Sequence, residues 1–175
     1  MTRAAAYVLL LLCMLLGACA ARGYEMRTVD YVDLDRFMGK WYVIASIPTA
    51  IERDAHNAVE NYELQPDGTI ATTFTFRDGS FDGELKTYTP TGFVQDTETN
   101  AEWGMRFVWP IKADYRIVHL DRNYTQTVIG RNKRDHVWIM ARTPTIPEAD
   151  YRELLERIGG LGYDLSKVRR VPQQW

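Results

Sequence analysis

The sequence has little cysteine and no surplus of positive charge. Its 175 residues include only two cysteines, Cys13 and Cys19. The chain after residue 19 therefore has no cysteine for a disulfide, a thiolate metal site or a catalytic nucleophile. The formal net charge of −2 leaves no basic excess to neutralise phosphates, which disfavours a nucleic-acid-binding protein.

Motifs of enzymes and cofactor sites are also missing. There is no Gly-x-Ser-x-Gly nucleophile turn, no His-x-x-x-His or His-Glu-x-x-His zinc spacing and no glycine-rich phosphate loop. His56 and His136 fall in predicted loops, and His119 falls on a predicted strand. We therefore expect no enzyme, metal or cofactor. The enzymatic alternative requires an acid–base pair inside one pocket, and Glu60 with His119 is the candidate pair.

The N-terminal segment has the pattern of a secretory signal. Arg3 precedes an apolar run from Ala4 to Leu16, which is shorter than the roughly 20 residues that span a bilayer. A positive start, an apolar run and small residues at the end are typical of a cleaved signal. The sequence thus predicts a signal peptide over 1–18, a tether over 19–30 and a folded domain over 31–175.

The end of this segment, Leu16-Gly17-Ala18-Cys19, resembles the bacterial lipobox. The resemblance implies cleavage before Cys19, a lipid on its sulfur and an acyl group such as palmitate on the new amino group. Ala20, rather than Asp, follows the cysteine, which in lipoproteins implies the outer membrane, facing the periplasm, if the host is Gram-negative. The alternative is an ordinary signal peptide cut near Ala18 or Ala20, which leaves a free thiol.

The rest of the chain alternates apolar and polar residues in short segments between turn signals such as Pro66-Asp67-Gly68. This pattern is typical of an antiparallel barrel or sandwich. The fourth strand must bend at Pro90, which cannot donate to the ladder. The alternation predicts eight strands: 40–47, 58–64, 69–77, 84–95, 103–109, 115–120, 125–131 and 137–142. An all-β, eight-stranded antiparallel up-and-down barrel fits them, and periodicity alone leaves a two-sheet sandwich open.

A helix is predicted after the strands. Thr145 and Glu148 have the spacing of a capping box, with Thr145 as the cap. Apolar residues then recur at the spacing of one helical face, so the helix should pack outside the barrel. This face consists of Tyr151, Leu154, Leu155 and Ile158. The segment 165–171 is predicted to add one more short strand.

Three motifs resemble the signatures of the lipocalin family: Gly39-Lys40-Trp41-Tyr42, Leu120-Asp121-Arg122-Asn123-Tyr124 and Trp138 to Pro144. They occur in the family's order and separation, and the resemblance covers about 32–171. With the lipobox, the chain resembles bacterial outer-membrane lipocalins in particular. The resemblance implies that Arg142 packs across Trp41 at the closed end of a barrel. The structural signature residues are Gly39, Trp41, Asp121, Tyr124 and Arg142.

The resemblance also implies that the protein binds, stores or transports small hydrophobic molecules, namely fatty acids or lysophospholipids. Alternation indicates which residues face into the cup, and most are apolar, as a lipid pocket requires. Glu60 is the polar exception and is a candidate for orienting a headgroup. The predicted inward residues are Trp103, Met105, Phe107, Trp109, Ile70, Thr72, Phe74, Phe76, Tyr62, Tyr115, Ile117 and Glu60.

A structural or interaction lipoprotein of the envelope is the alternative to a binding protein. Its barrel would be filled by the same inward side chains, and it would hold no ligand. The two hypotheses differ in whether a cavity remains. The sequence predicts no oligomeric state.

Overall fold

The computed structural model describes residues 25–175, so the predicted signal segment and Cys19 lie outside the described residues. Within 25–175 the chain forms ten strands, two α-helices and two 3₁₀ helices. Also within this range, no helix is long and apolar enough to cross a membrane. The strands are β1 (Gly39–Ile47), β2 (Ala55–Leu64), β3 (Thr69–Asp78), β4 (Leu85–Tyr88), β5 (Thr91–Val94), β6 (Glu102–Val108), β7 (Ile111–Leu120), β8 (Gln126–Gly130), β9 (Val137–Ala141) and β10 (Arg169–Arg170); the α-helices are α1 (Leu34–Phe37) and α2 (Glu148–Gly160), and the 3₁₀ helices are Ala50–Glu52 and Leu165–Lys167.

The strands form one closed antiparallel barrel. From β1 to β9 the strands pair in chain order, except that β4 and β5 both pair with β3 and only β5 goes on to pair with β6. β9 returns to pair with β1, so that Tyr42 lies opposite Ala141 and Ile47 opposite Val137. This closure removes the open edges that a sandwich would keep. The predicted eight-stranded up-and-down barrel is confirmed, and the sandwich is excluded.

The fourth strand of the barrel is interrupted at Pro90, as predicted. β3 pairs with β4 along one half of its length and with β5 along the other. Phe74 thus lies opposite Tyr88, while Ile70 lies opposite Gly92. The two short strands share one position in the barrel, which reconciles ten observed strands with eight predicted ones.

The prediction of a capping box at Thr145 is wrong. α2 begins at Glu148, and Pro147 occupies its N-cap without a side-chain hydrogen bond. Glu148 is therefore the first helical residue, not the third, and it is too early in the helix to complete the motif. The carbonyl of Thr145 instead accepts a hydrogen bond from the hydroxyl of Thr143 at 2.8 Å.

Two apolar layers stabilise the domain, one inside the barrel and one between its wall and α2. Tyr151, Leu154 and Ile158 on the helix are buried against outward side chains of the wall, among them Ile44 and Val128. α2 thus packs outside the barrel, as predicted. The predicted C-terminal strand is β10, and it pairs with β1 over only two residues.

The chain before α1 is packed against the barrel wall. The amide of Val29 donates to the carbonyl of Ile117 at 2.9 Å, and the amide of Met26 donates to Asn132 Oδ1 at 2.7 Å. Met26 is only 2% exposed. The tether predicted through residue 30 is therefore too long, because the chain is already fixed to the wall from Glu25 onward.

A buried arginine secures the start of this segment. The guanidinium of Arg116 on β7 forms ion pairs with Glu25 at 3.0 Å, Glu102 at 2.7 Å and Asp114 at 3.0 Å. The Arg116 side chain is 8% exposed, and a charge at that depth requires such partners. The Glu25 pair joins the N-terminal segment to the barrel.

Candidate functional site

A cavity of about 350 Å³ occupies one half of the barrel. It lies toward the end formed by the β1–β2, β3–β4, β6–β7 and β8–β9 connections, which we call the open end. Its volume falls at the lower limit of small-molecule pockets. The apolar side chains of its wall include Phe74, Met105, Phe107, Ile129 and Trp138.

Aromatic rings fill the opposite, closed end. Phe37 from α1 contacts Trp41, Tyr62 and Trp103, with ring centroids 5.1, 5.7 and 5.5 Å apart. Trp103 in turn stacks on Tyr115 at 5.1 Å. Because α1 inserts its one buried residue among these rings, the short helix plugs the barrel.

The residues of the three signature motifs meet at this closed end. The guanidinium of Arg142 lies 3.8 Å from the centroid of the Trp41 ring. Gly39 has φ +88°, and a Cβ there would lie 3.5 Å from Arg142 Nη1. A side chain at position 39 would therefore be strained and would press on that arginine.

The turn between β7 and β8 joins the same structure. Asp121 accepts hydrogen bonds from the amides of Thr125 and Gln126, both at 2.6 Å. The Tyr124 hydroxyl accepts one from the amide of Asp33 at 2.9 Å. These bonds hold the turn and fasten it to the N-cap of α1, so Asp121 and Tyr124 have structural contacts.

Six of the residues predicted to face inward line the cavity: Glu60, Thr72, Phe74, Met105, Phe107 and Tyr115. Phe107 lies at the rim and is 51% exposed. Five others are buried but are used in packing and do not reach the cavity: Tyr62, Ile70, Phe76, Trp103 and Ile117.

Trp109 does not face the cavity, contrary to the prediction. β6 ends at Val108, so the alternation that predicted an inward Trp109 stops one residue too early. Trp109 lies in the turn before β7 and is 78% exposed. The structure thus places it outside the wall of the candidate site.

Glu52 is a residue of the site that the inward-facing pattern of the strands does not predict, because it does not belong to a strand. Glu52, in the 3₁₀ helix of the β1–β2 connection, lines the cavity and is 7% exposed. Its carboxylate accepts from the amide of Thr49 at 2.8 Å and from Trp138 Nε1 at 3.2 Å. The Thr49-x-x-Glu52 spacing is that of a capping box, and it is the signal that could have identified Glu52.

Glu60 belongs to a buried hydrogen-bonded chain. The Tyr62 hydroxyl donates to the Glu60 carboxylate, and the Tyr115 hydroxyl lies 2.8 Å from the Tyr62 hydroxyl. Burial, and secondarily the negative charge of Glu52, raises the pKa of Glu60 to about 8. The Glu60 side chain is therefore a neutral carboxylic acid at neutral pH, which removes the cost of a buried charge.

The acid–base pair of the enzymatic alternative is not brought together. His119 is not part of the cavity wall. Burial and then the positive charge of Arg157, on α2 outside the barrel, lower the pKa of His119. Across residues 25–175 there is also no cluster of three or more His, Cys, Asp or Glu side chains that could hold a metal ion.

A hairpin tip at the open end exposes four large apolar side chains within five consecutive positions, and the remaining position is Pro110. They belong to the β6–β7 turn, and Arg106 and Lys112 flank them. A contiguous apolar surface of this kind indicates an interaction site. The tip consists of Phe107, Val108, Trp109 and Ile111, which are 51%, 69%, 78% and 70% exposed.

Residues 32–173 match the sequence profile of the family described as Lipocalin-like domain. The chain is 30% identical to the outer membrane lipoprotein Blc of Escherichia coli K12, over 83% of this chain and 81% of that one. It is 29% identical to the temperature-induced lipocalin-1 of Arabidopsis thaliana, over 85% and 83%. Insecticyanin of the tobacco hornworm Manduca sexta has a similar fold, with a TM-score of 0.65, 14% identity and 84% of each chain covered.

Proposed function

The chain belongs to the lipocalin family and is a binder of small hydrophobic ligands, and we propose that these ligands are fatty acids or lysophospholipids drawn from the membrane that anchors it. The observation that supports this proposal is the apolar cavity of about 350 Å³. A barrel with a purely structural role would have packed this space, as the rings of the closed end are packed. The volume suits a single acyl chain better than a bulky ligand.

The charges of the wall favour one orientation of an anionic lipid. Arg131, which follows β8 at the open end, is the one basic side chain among the residues that line the cavity. A carboxylate or phosphate near Arg131 would place the acyl chain along Met105 and Phe74, inside the barrel. Burying apolar ligand surface stabilises the complex at about 25 cal/mol per Å², less the cost of ordering the ligand.

Native mass spectrometry of the delipidated domain reloaded with palmitic acid or a lysophospholipid tests this proposal. One acyl chain should bind per barrel. Met105→Asp should abolish binding, because it places a charge on the apolar wall. Thr73→Asp is the matched control, since Thr73 is exposed on the outside of β3. Failure of both lipids to bind a folded barrel would favour the structural alternative.

We propose binding without catalysis. Glu60 has no basic partner such as His119 beside it, and its neighbours in the hydrogen-bonded chain are two tyrosines. A general acid–base reaction needs a group that takes up the proton within hydrogen-bond reach. Incubation of a bound lysophospholipid with the protein should leave its mass unchanged.

We further propose that the anchor is Cys19 and that it holds the open end toward the membrane. Only six residue steps separate Cys19 from Glu25 (25 − 19), a span of at most about 21 Å. The segment before α1 runs along the barrel wall from the closed end to the open end. The amide of Val32 donates to the carbonyl of Thr99 beside the closed end, and the amide of Met26 donates to Asn132 Oδ1 in the β8–β9 turn. The lipid on Cys19 would thus lie near the cavity entrance.

The exposed hairpin tip supports the same orientation. Trp109, Val108 and Ile111 would enter the bilayer surface, where tryptophan is favoured, and Arg106 and Lys112 would face anionic headgroups. Two separate contacts, the anchor and the tip, would then bring the cavity entrance to its source of lipid. The relatives named as outer membrane lipoproteins support a place in the outer membrane, facing the periplasm, if the host is Gram-negative.

A further inference from the structure

The end of the cavity nearest the aromatic plug carries three polar side chains, which we call the floor cluster: Glu60, Thr72 and Tyr115. Glu60 lies opposite Trp41 in the strand register, and Tyr115 stacks on Trp103, so the cluster rests directly on the plug. A cavity that held only an alkyl chain would have no use for polar groups at its deepest point. Each of them is costly there unless it is paired.

The hydroxyl of Thr72 has no such pair. Thr72 is 3% exposed, it lines the cavity, and its Oγ1 has no hydrogen-bond partner among the described residues. Buried hydroxyls in native proteins are almost always hydrogen-bonded. The missing partner of Thr72 therefore points to an atom that occupies the cavity.

Glu60 offers a second donor to the same space. Tyr62 uses its one proton toward Glu60, so the hydrogen bond between the two tyrosines takes the proton of Tyr115. Neither tyrosine then has a proton left for a ligand. A neutral Glu60 carries its proton on the carboxyl oxygen that Tyr62 does not contact, and the Glu60 side chain lines the cavity.

Glu60 and Thr72 are diagonal neighbours on adjacent strands. Tyr62 lies opposite Thr72, and Glu60 opposite Phe74, so the two polar residues share the inner face. Their backbones are about 7–8 Å apart at such positions, within the reach of a long side chain. One oxygen atom with two lone pairs, placed between them, can accept from both.

The charged groups around the floor cluster exclude an anion there. Glu52 approaches from the 3₁₀ helix, and Asp114 lines the wall from β7 and is paired with Arg116. The strands β3, β6 and β9 contribute uncharged lining residues, and Arg131 lies at the open end. A carboxylate bound at the floor would face the negative charge of Glu52 with no unpaired cation beside it.

Resting on the proposed lipid binding, we propose that the floor cluster is a polar subsite for an uncharged oxygen acceptor on the ligand chain. The ligand class is then an oxygenated acyl chain, such as a keto acid, with its charged group at the open end beside Arg131 and its internal carbonyl at Glu60 and Thr72. A saturated chain without oxygen leaves both donors unpaired.

Two chain-matched probes test this assignment: palmitic acid and a hexadecanoic acid with a ketone on the penultimate carbon. Calorimetry at neutral pH should show that the wild-type domain binds the keto acid about tenfold more tightly. Thr72→Val keeps the side-chain shape and should lower that preference to about twofold, whereas palmitic acid binds both proteins alike. Thr73→Val, one residue away on the outer face, should keep the wild-type preference.

The proton on Glu60 supplies a second readout. Above about pH 8 the preference for the keto acid should fall toward the part that Thr72 alone supplies, because an ionised Glu60 carboxylate cannot donate. Glu60→Gln retains a donor and should keep the preference at every pH. Equal affinities for the two acids in the wild type, or a preference that Thr72→Val leaves intact, would overturn the subsite. If neither acid binds, the proposed function itself fails.

Discussion

The guanidinium of Arg142, in the segment after β9, lies 3.8 Å from the centroid of the Trp41 ring on β1. The same group donates to the carbonyl of Lys40 and to that of Phe37, at 2.8 and 3.0 Å. Trp41 Nε1 also donates to the carbonyl of Phe37, at 2.8 Å. Two side chains thus join β1, the end of β9 and the plug where the barrel closes. Burial lowers the pKa of Arg142 to about 10, so the stacked group stays charged at neutral pH.

Trp41→Ala and Arg142→Ala should both destabilise the domain, and their effects should not add. Loss of the buried indole costs about 3–5 kcal/mol. Loss of Arg142 removes the hydrogen bonds that it donates to the carbonyls of Lys40 and Phe37 and should cost about 2 kcal/mol. Because the two share a contact, urea unfolding of the double variant should show a coupling of about 0.5–2 kcal/mol. Strict additivity would mean that the stacked contact contributes nothing.

The barrel fold was predictable because most of its strands bury the side chains of their inner face. Trp103 and Met105 alternate with outward residues, and this period of two is what a one-sided strand requires. The break at Pro90 followed from its missing N–H. The start of α2 was mispredicted because Thr145 and Glu148 have the spacing of a capping box, while Pro147 next to Glu148 already fits the N-cap.

The cavity was less predictable than the barrel. The alternation of apolar and polar residues predicts which side chains face inward, but it does not predict where each lies along the barrel axis. Trp103 in the plug and Met105 in the cavity wall are therefore equivalent in the sequence pattern. Glu52 was missed because a long connection bends back into the barrel mouth, and no strand pattern describes that path. Trp138 belongs to a signature motif, and the structure also places it in the cavity wall, where its Nε1 donates to Glu52.

Trp138 should be the fluorescent reporter of ligand entry. It lines the cavity, whereas Trp103 is fully buried in the plug and Trp109 points to solvent. Titration of the wild type with palmitic acid should change the tryptophan emission. Trp138→Phe should remove most of that change, and Trp109→Phe should retain it. Loss of the signal in Trp109→Phe alone would place the ligand at the hairpin instead.

The hairpin tip should bind bilayers even without the lipid anchor. The domain 25–175 should sediment with vesicles that contain anionic phospholipid, and Trp109→Glu combined with Ile111→Glu should reduce the bound fraction at least tenfold. Loss of apolar contact and repulsion by anionic headgroups both act in that direction. Tyr31→Glu is the control, because Tyr31 is 60% exposed next to α1 at the other end. An equal loss in the control would refute the proposed orientation.

Cys19 should carry the anchor of the full-length protein. Cys19→Ser should make the protein removable from membranes by a high-salt wash that leaves the wild type in place, because the hairpin tip alone binds reversibly while the acyl chains of a lipoprotein supply about 0.8 kcal/mol for each buried CH₂. Mass spectrometry of the mature wild type should find acyl groups on residue 19. Retention of the Cys19→Ser protein in membranes after the wash, with an unmodified wild-type N-terminus, contradicts the lipobox assignment.

Glu60 should make the domain less stable as pH rises. Its pKa is about 8 in the folded protein against an ordinary value of 4.5, so between these values the folded state holds a proton that the unfolded state has released. The free energy of unfolding should then fall by about 1.4 kcal/mol per pH unit over that window and level off above it.

Urea titrations at about pH 5.5 and about pH 7.5 measure the fall, and the contributions of other groups cancel when variants are compared. In Glu60→Gln the fall in the free energy of unfolding between these two pH values should be smaller by about 2–3 kcal/mol, because the amide does not titrate. Glu63→Gln, at an exposed position on the same strand, is the control and should keep the wild-type slope. Identical slopes for all three proteins would mean that Glu60 is ionised in the barrel, and the donor that the floor cluster requires would then be absent.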